Sequence, residues 1–550
     1  MDMETNIPLT PDESQKQQQS SPPVSFWEAP CPEPIKKPLF SLKKGDVAFG
    51  VCAVIFSIFT AVFGIFGGYA FGYFLSCLFM MGLFAVYFAK RVTIRFLPVL
   101  CGVISIANAA VFICTSNGSV RFFSAVVSFL LSLVCFGDLL NGTAKGNRET
   151  LGIFYSAVAT MGNIGVSLKS LFFIGNGKQK VIGKAFVGIL CAVPVLLIVV
   201  PLLISSDVAF QGMMRKLFSN SFSNFFKVIF GLMLSIFVLS YGFSLKKSRI
   251  AKVKSGNPAS IENVYIVSFL SVISVCYLLY LFSQLAYFFS AFKGFLPNKE
   301  ITYAEYARKG FFEMCIIAVI NLMIVFLALL IAKKKEGKVC NAIKVLATFV
   351  AIFTLIIIAT AISKMVLYIS AYGMTVLRLT TSAFMVFLAV VFVSVILRIF
   401  FIKINIIKTA LVAAGCILLL LGTANVNAVC ARYNYESYIS GRLTSVDMEA
   451  MFRLGDEGIP YLVKLADHKD SAVSAKAKRY LARAIIYDYF EDLESDAILT
   501  EDLLQGKEQK NGFSYFSIPK AAANRSLYTF LAEHPDFAYN YKTFLKQDYD

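Results

Sequence analysis

The sequence predicts an all-α membrane protein, a bundle of about eleven spans followed by a soluble helical domain at the C-terminus. Three observations predict it. Apolar runs follow one another from Asp46 to Thr423, most of them near the roughly 20 residues that a helix needs to cross a bilayer. Hydrophobic residues make up 57% of the 550-residue chain and charged residues only 16%, too little polar surface for soluble domains of that total size. Beyond Thr423 the chain turns polar and charged. Backbone groups in hydrocarbon must bond within their own segment, and Phe-rich, Gly-dotted runs without period-2 alternation select helices over a barrel.

The expected spans are 46–67, 69–90, 95–114, 120–140, 181–204, 226–245, 263–289, 311–332, 342–369, 376–400 and 405–423. Lysine and arginine set their direction. With the N-terminus inside, every inner loop is basic: Lys43 and Lys44, then Lys90, Arg91 and Arg95, then Lys145 and Arg148, then the 246–254 cluster, Lys333–Lys335, and Arg398 with Lys403. Outer loops are poorer, so the positive-inside rule places the N-terminus in the cytoplasm and the C-terminal domain outside. Two amphipathic stretches, Leu151–Phe173 and Val208–Phe225, read as helices lying in the inner and outer interfaces. Residues 1–45 are Gln/Ser/Pro-rich and read as a disordered cytoplasmic tail that holds the only tryptophan, Trp27.

The C-terminal domain, 424–550, is expected to be helical. Thr444-Ser-Val-Asp447 resembles a capping box, and Asp470 is placed to cap a helix running to about Asp488. The pair Ile459–Ala466 and Ser471–Tyr489 has the form of one α-solenoid unit. From Arg432 onward there are 15 Lys and Arg against 19 Asp and Glu, so the net charge of +18 belongs to the membrane part. Such a basic face meets anionic inner-leaflet lipid and is no argument for nucleic acid, while the exterior domain is the surface left for an envelope protein partner.

Several chemistries have no residues to carry them. No phosphate-binding GxxxxGK[ST] loop, GxSxG elbow or HExxH pair occurs, and the two histidines, His468 and His534, both lie in the C-terminal domain. All twelve cysteines lie at or before Cys430 without metal-ligand spacing and read as packing residues. No cofactor or metal is expected.

Four polar stretches remain, all assigned to the outer ends of spans. They are Ser205–Phe210 with Asp207, Tyr303–Glu313 running on to Asn321, Tyr368–Arg378, and Asn425 through Asn434. Together with the chain of spans they resemble a family of bacterial membrane proteins, the domain of unknown function 4173 and its relative 4153. Asp207, Tyr303, Arg308, Glu313, Asn321, Tyr372, Arg378, Asn425, Arg432 and Asn434 fall on the family pattern; Asn427 stands where that pattern leads one to expect an acidic residue. The resemblance brings kinship and no established activity.

These residues form the candidate outer-rim polar site. Glu313, Ile317 and Asn321 share one helix face, and mutual pairing of Asp207, Arg308, Glu313 and Arg378 would offset their dehydration. Such a rim either binds a polar or anionic solute or simply locks loops together. Only Asn108, Gln284 and Asn321 are expected deep in the bundle, thin for a transport path. A non-enzymatic scaffold, sensor or binding protein of the bacterial envelope is the favoured function. A transporter or flippase of a polar solute is the alternative, and an enzyme acting on lipid-linked substrate at the outer face is the third.

Overall fold

A computed structural model of the chain describes residues 44–65, 70–90, 94–141, 221–246, 261–293, 311–333, 339–401, 404–485 and 517–540. Among them nine helices are long and apolar enough to cross a membrane, and a tenth, shorter apolar stretch spans Lys227–Phe243. The chain is a multi-pass helical membrane protein. Residues 1–43 of the expected disordered tail, the span 181–204 and the interfacial segment Leu151–Phe173 lie outside the described residues, as does all of Val208–Phe225 before residue 221; Lys44 and Gly45, also assigned to the tail, open the first helix.

The helices follow the apolar runs. They are α1 (Lys44–Phe59, passing into a π-helical turn Thr60–Ile65), α2 (Ala70–Phe88), α3 (Phe96–Cys114), α4 (Gly118–Asn141), α5 (Ser221–Lys246), α6 (Asn263–Lys293), α7 (Phe311–Ile331), α8 (Asn341–Tyr372), α9 (Val376–Phe400) and α10 (Ile406–Ala424). Residues 221–225, expected to close an interfacial helix, instead open α5. At 1.5 Å per residue the 32 residues of α8 reach about 48 Å, longer than the hydrocarbon core.

The bundle has two lobes joined by a central trio. Phe49, Phe84, Phe88, Phe136, Tyr241 and Phe243 form the core between α1, α2, α5 and α4. Three further clusters unite α6, α7, α8 and α9. Between the lobes, α10 packs on α3 and α4 on one side and on α9 on the other. Helices approach closely where a side chain is missing. A Cβ on Gly415 of α10 would meet Ile104 of α3 at 2.7 Å, and one on Gly422, two turns on, would run into Val111. These pairs advance together along both helices, so α3 and α10 are parallel. Gly231 of α5 sits against the Ile58 backbone and Gly242 against Phe49, which makes α1 and α5 antiparallel. Small residues that let backbones touch are the expected glue where lipid removes the hydrophobic drive between helices.

Several polar groups inside the bundle are bonded between helices. Ser105 and Ser128 each donate to the other's backbone carbonyl, at 2.7 and 2.8 Å, tying α3 to α4. Asn108 donates to the Gly415 carbonyl at 3.0 Å. In the second lobe Tyr277 donates to Asn321 and Asn321 to Thr354 (2.9 Å), joining α6, α7 and α8. At the basic end Lys408 pairs with Asp138, their side chains only 8% and 17% exposed. Each charge is unfavourable for its own helix dipole, Lys408 in the first turn of α10 and Asp138 in the last turn of α4. Together they cancel.

After α10 the chain continues with almost no break into α11 (Val426–Ile439), then α12 (Met448–Phe452), a 3₁₀ turn Gly455–Glu457, α13 (Ile459–Ala466), α14 (Ser471–Ala484), α15 (Ile518–Glu533) and α16 (Pro535–Asn540). Asp470 caps α14 as expected, accepting from the Ala472 N–H at 2.9 Å. The capping box does not form. Asp447 is itself the cap of α12, accepting from Ala450, and Thr444 stays in the loop before it. The core of this domain, Leu462, Leu465, Leu481, Leu527 and Phe530, is continuous with Val111 and Val120 at the tip of α3 and α4.

Removing one partner of the Lys408–Asp138 pair leaves a buried, uncompensated charge. Asp138→Ala is expected to lower stability by about 3–5 kcal/mol, while Asp138→Leu combined with Lys408→Met returns it to wild type or above. Melting of the detergent-purified variants followed by size-exclusion chromatography checks this; a double variant no better than the single would sink the pairing argument.

Candidate functional site

Two helical hairpins, α3–α4 and α8–α9, present their tips at the end of the bundle that carries the C-terminal domain, and both tips are built the same way. Each first helix ends with carbonyls that have no helical partner. An arginine from the first turn of the next helix folds back onto them. Arg121 donates through Nε to the Thr115 carbonyl at 2.6 Å and through Nη2 to Phe112 at 3.0 Å. Arg378 donates through Nη1 to the Tyr372 carbonyl at 3.2 Å and to that of Gly373, with its guanidinium 4.0 Å from the centre of the Tyr368 ring. A cation at a helix C-terminus also meets the negative end of the dipole. The following helices are capped by Asn117, which accepts from Val120 at 3.0 Å, and by Thr375, which accepts from Arg378 at 3.4 Å.

Asparagines weld these tips to α11. Asn425, at φ 56, ends α10 and begins α11 in one residue. Its amide donates to the Cys114 carbonyl at 2.9 Å and accepts from Thr115 Oγ1 at 3.2 Å. Asn434 reads the Met374 backbone as a neighbouring strand would, accepting from its N–H at 2.7 Å and donating to its carbonyl at 2.8 Å. Gly373 is required there twice over: its φ is +79, and a Cβ would stand 2.7 Å from Asn434 Oδ1.

The centre of the seam is Glu457, 5% exposed. Its carboxylate accepts from the Ser116 N–H at 2.8 Å, from the Ser116 hydroxyl, from Thr115 Oγ1 at 3.5 Å and from Asn427 Nδ2 at 3.4 Å. Asn427 also donates to the Leu454 carbonyl at 3.0 Å and accepts from Asn117 at 2.8 Å. An acidic residue at 427, the type the family pattern led one to expect, would have set one carboxylate against another. The turn that carries Glu457 is held close by Gly458, where a Cβ would collide with the Met451 carbonyl.

The structure therefore divides the expected site. Arg378, Asn425 and Asn434 lie on the seam, their side chains bonded largely to backbone, while Tyr372 contributes only its carbonyl, to Arg378. Arg432 lies on the exposed side of α11, 68% exposed, in an i,i+4 pair with Glu436 at 2.7 Å; that hydrogen bond raises the guanidinium pKa. Glu313 is exposed in the first turn of α7 and has no ion pair with Arg378; its carboxylate instead interacts with Lys364 of α8. Asn321 is not a rim residue, since it sits ten residues into α7, about 15 Å from its start. Asp207, Tyr303 and Arg308 lie outside the described residues. Thr115, Ser116, Asn117 and Glu457 were missed by the sequence reading, although Thr-Ser-Asn-Gly between two apolar runs and Gly-Asp-Glu-Gly before an Ile-Pro helix start were both visible.

Between the two tips and the turn after α12 lies a cleft of ≈ 510 Å³ lined by Asn117, Asn427, Asn434, Met374 and Arg453 among others. No group of three or more metal-ligating side chains occurs among the described residues. Cys430 is fully buried in α11, where burial pushes its thiol up to about 12, in keeping with packing and not reactivity.

The sequence model of the family described as a domain of unknown function (DUF4153) matches residues 75–465. The chain belongs to this family. The match runs from within α2 to within α13 and so takes in both hairpin tips, α11 and Glu457; it carries the second of the two family names that the motifs suggested. No curated protein and no solved structure matches the chain.

The Asn434–Met374 bridge joins α11 to the second lobe. Asn434→Ala is expected to destabilise the protein by about 1–3 kcal/mol, because two Met374 backbone groups lose their partner. Asn434→Asp, which replaces the donor with an acceptor, should be at least as damaging. Thermal melting decides the matter, and wild-type behaviour of both variants would remove Asn434 from the seam.

Proposed function

We propose that the protein is a non-enzymatic membrane platform of the bacterial envelope, a scaffold or sensor whose bundle holds the C-terminal helical domain at a fixed position against the outer membrane-water interface. The observation that carries this reading is the buried Glu457 carboxylate, held by donors from the α3–α4 tip and from α11 at once. A linker-tethered domain would not need such a contact, since linkers leave domains free to reorient. The rim residues that could have served a solute, Arg378, Asn425 and Asn434, spend their hydrogen bonds on backbone groups. Two deep amides donate between helices, Asn108 to the Gly415 carbonyl and Asn321 to Thr354 Oγ1. A transport path would need such groups turned toward water.

Hydrogen-exchange mass spectrometry on the full chain tests the rigid seam. Glu457→Ala is expected to raise exchange by at least about tenfold across 426–466 and in the α3–α4 tip, as the loss of a buried carboxylate network worth about 2–4 kcal/mol would cause. Faster exchange confined to 455–458 would count against a load-carrying seam. The outward placement rests on the excess of Lys and Arg in the alternate loops. In a cysteine-free background, Ser445→Cys is expected to react with an impermeant maleimide in intact cells; reaction only after lysis would put the domain inside.

A further inference from the structure

The cleft beneath the C-terminal domain is amphipathic. Val376 and Leu377 belong to the first turn of a span, and with Met374 they make its apolar wall; Leu377 is 64% exposed at its mouth. Asn117, Asn427 and Arg453, from the α3–α4 tip and the domain, make the polar wall. Arg453 is the single charged side chain among the residues that line it. Its partner Glu449, one turn back, leaves that pair 75% and 53% exposed, and exposed pairs of this kind hold little energy. A guanidinium has five donors, so most of them stay available to a stronger anion. The first-turn N–H groups of Gly118, Val376 and Leu377 also find no acceptor among the described residues. They add partial positive charge to the same space.

A space of ≈ 510 Å³ fits a lipid headgroup with its glycerol and is within the usual range for small-ligand sites. Acyl chains would continue along α9 into the bilayer. A neutral sugar would gain no charge pairing from Arg453, and a small soluble anion would bury no apolar surface against Val376 and Leu377. We propose that this cleft binds an anionic phospholipid of the surrounding leaflet, its phosphate at Arg453 and its first methylenes against Val376 and Leu377. The site is independent of the platform role, because the seam around Glu457 is complete without a ligand.

Tryptophan fluorescence of the full chain reads the site directly. The native tryptophan is removed by Trp27→Phe and a reporter is introduced by Leu377→Trp. The protein is reconstituted in phosphatidylcholine nanodiscs containing a small fraction of brominated lipid. Brominated phosphatidylglycerol is expected to quench as if enriched about fivefold over brominated phosphatidylcholine at the same mole fraction, the preference that one basic group gives near a surface. Arg453→Gln should abolish the preference and Arg453→Lys, which keeps the charge, should retain most of it. Equal quenching by both lipids overturns the proposal, as does a preference that survives Arg453→Gln or is lost in Arg453→Lys. Inorganic phosphate or glycerol phosphate in the buffer should leave the preference unchanged; if either reverses it, the ligand is a soluble phosphate and the lipid assignment falls.

Discussion

A carboxylate taken out of water must be given donors or it will not stay buried. Glu457 meets that demand with groups from separate parts of the chain, two residues of the α3–α4 tip and one of α11. Because those donors have to converge, the hairpin, α11 and the 3₁₀ turn are fixed relative to one another. The apolar core then follows: Val111 and Val120 from the spans pack into the same cluster as Met451, Leu454 and Leu462 from the domain. What might have been a tethered module is a continuation of the bundle.

The seam relies on amides and hydroxyls, with arginines only at the hairpin tips. An amide offers a donor and an acceptor at less desolvation cost than an ion, and backbone groups exposed where helices end need both. Asn434 on Met374 and Asn425 on Cys114 each satisfy main-chain groups that the hairpins leave over. Arg121 and Arg378 do the same for carbonyls. Polar residues at the ends of spans thus have a structural use that looks, in sequence, like the makings of a solute site. The space left between the tips is lined by one charged side chain, Arg453, held only by an exposed pair with Glu449.

Much of the fold was legible because the signals are local. Helix-length apolar runs separated by short polar turns mark the described spans, and their ends shifted by only a few residues at α5, α6 and α8. Asp470 was readable as a cap because capping acts over two or three residues. The same local logic misled at Thr444, since Asp447 is an equally good cap one turn later and sits next to the first buried residue, Met448. Among the candidate site residues, Arg378, Asn425 and Asn434 all fall on the seam, and only Arg378 had been given an expected partner. Charge pairing was expected with Glu313; backbone carbonyls were closer.

The sequence by itself determined that the chain crosses a membrane many times, that its helices end in polar clusters, and that a charged helical region follows. Those properties rest on transfer of side chains and backbone from water to hydrocarbon, which depends on each segment alone. Only the tertiary structure decided which helices touch, through Gly415 and Gly422 on α3 and Gly231 on α1. It alone brought Glu457 to Ser116, residues separated by more than half the chain. No periodicity carries that information, because a buried carboxylate and its donors need to be near only in space.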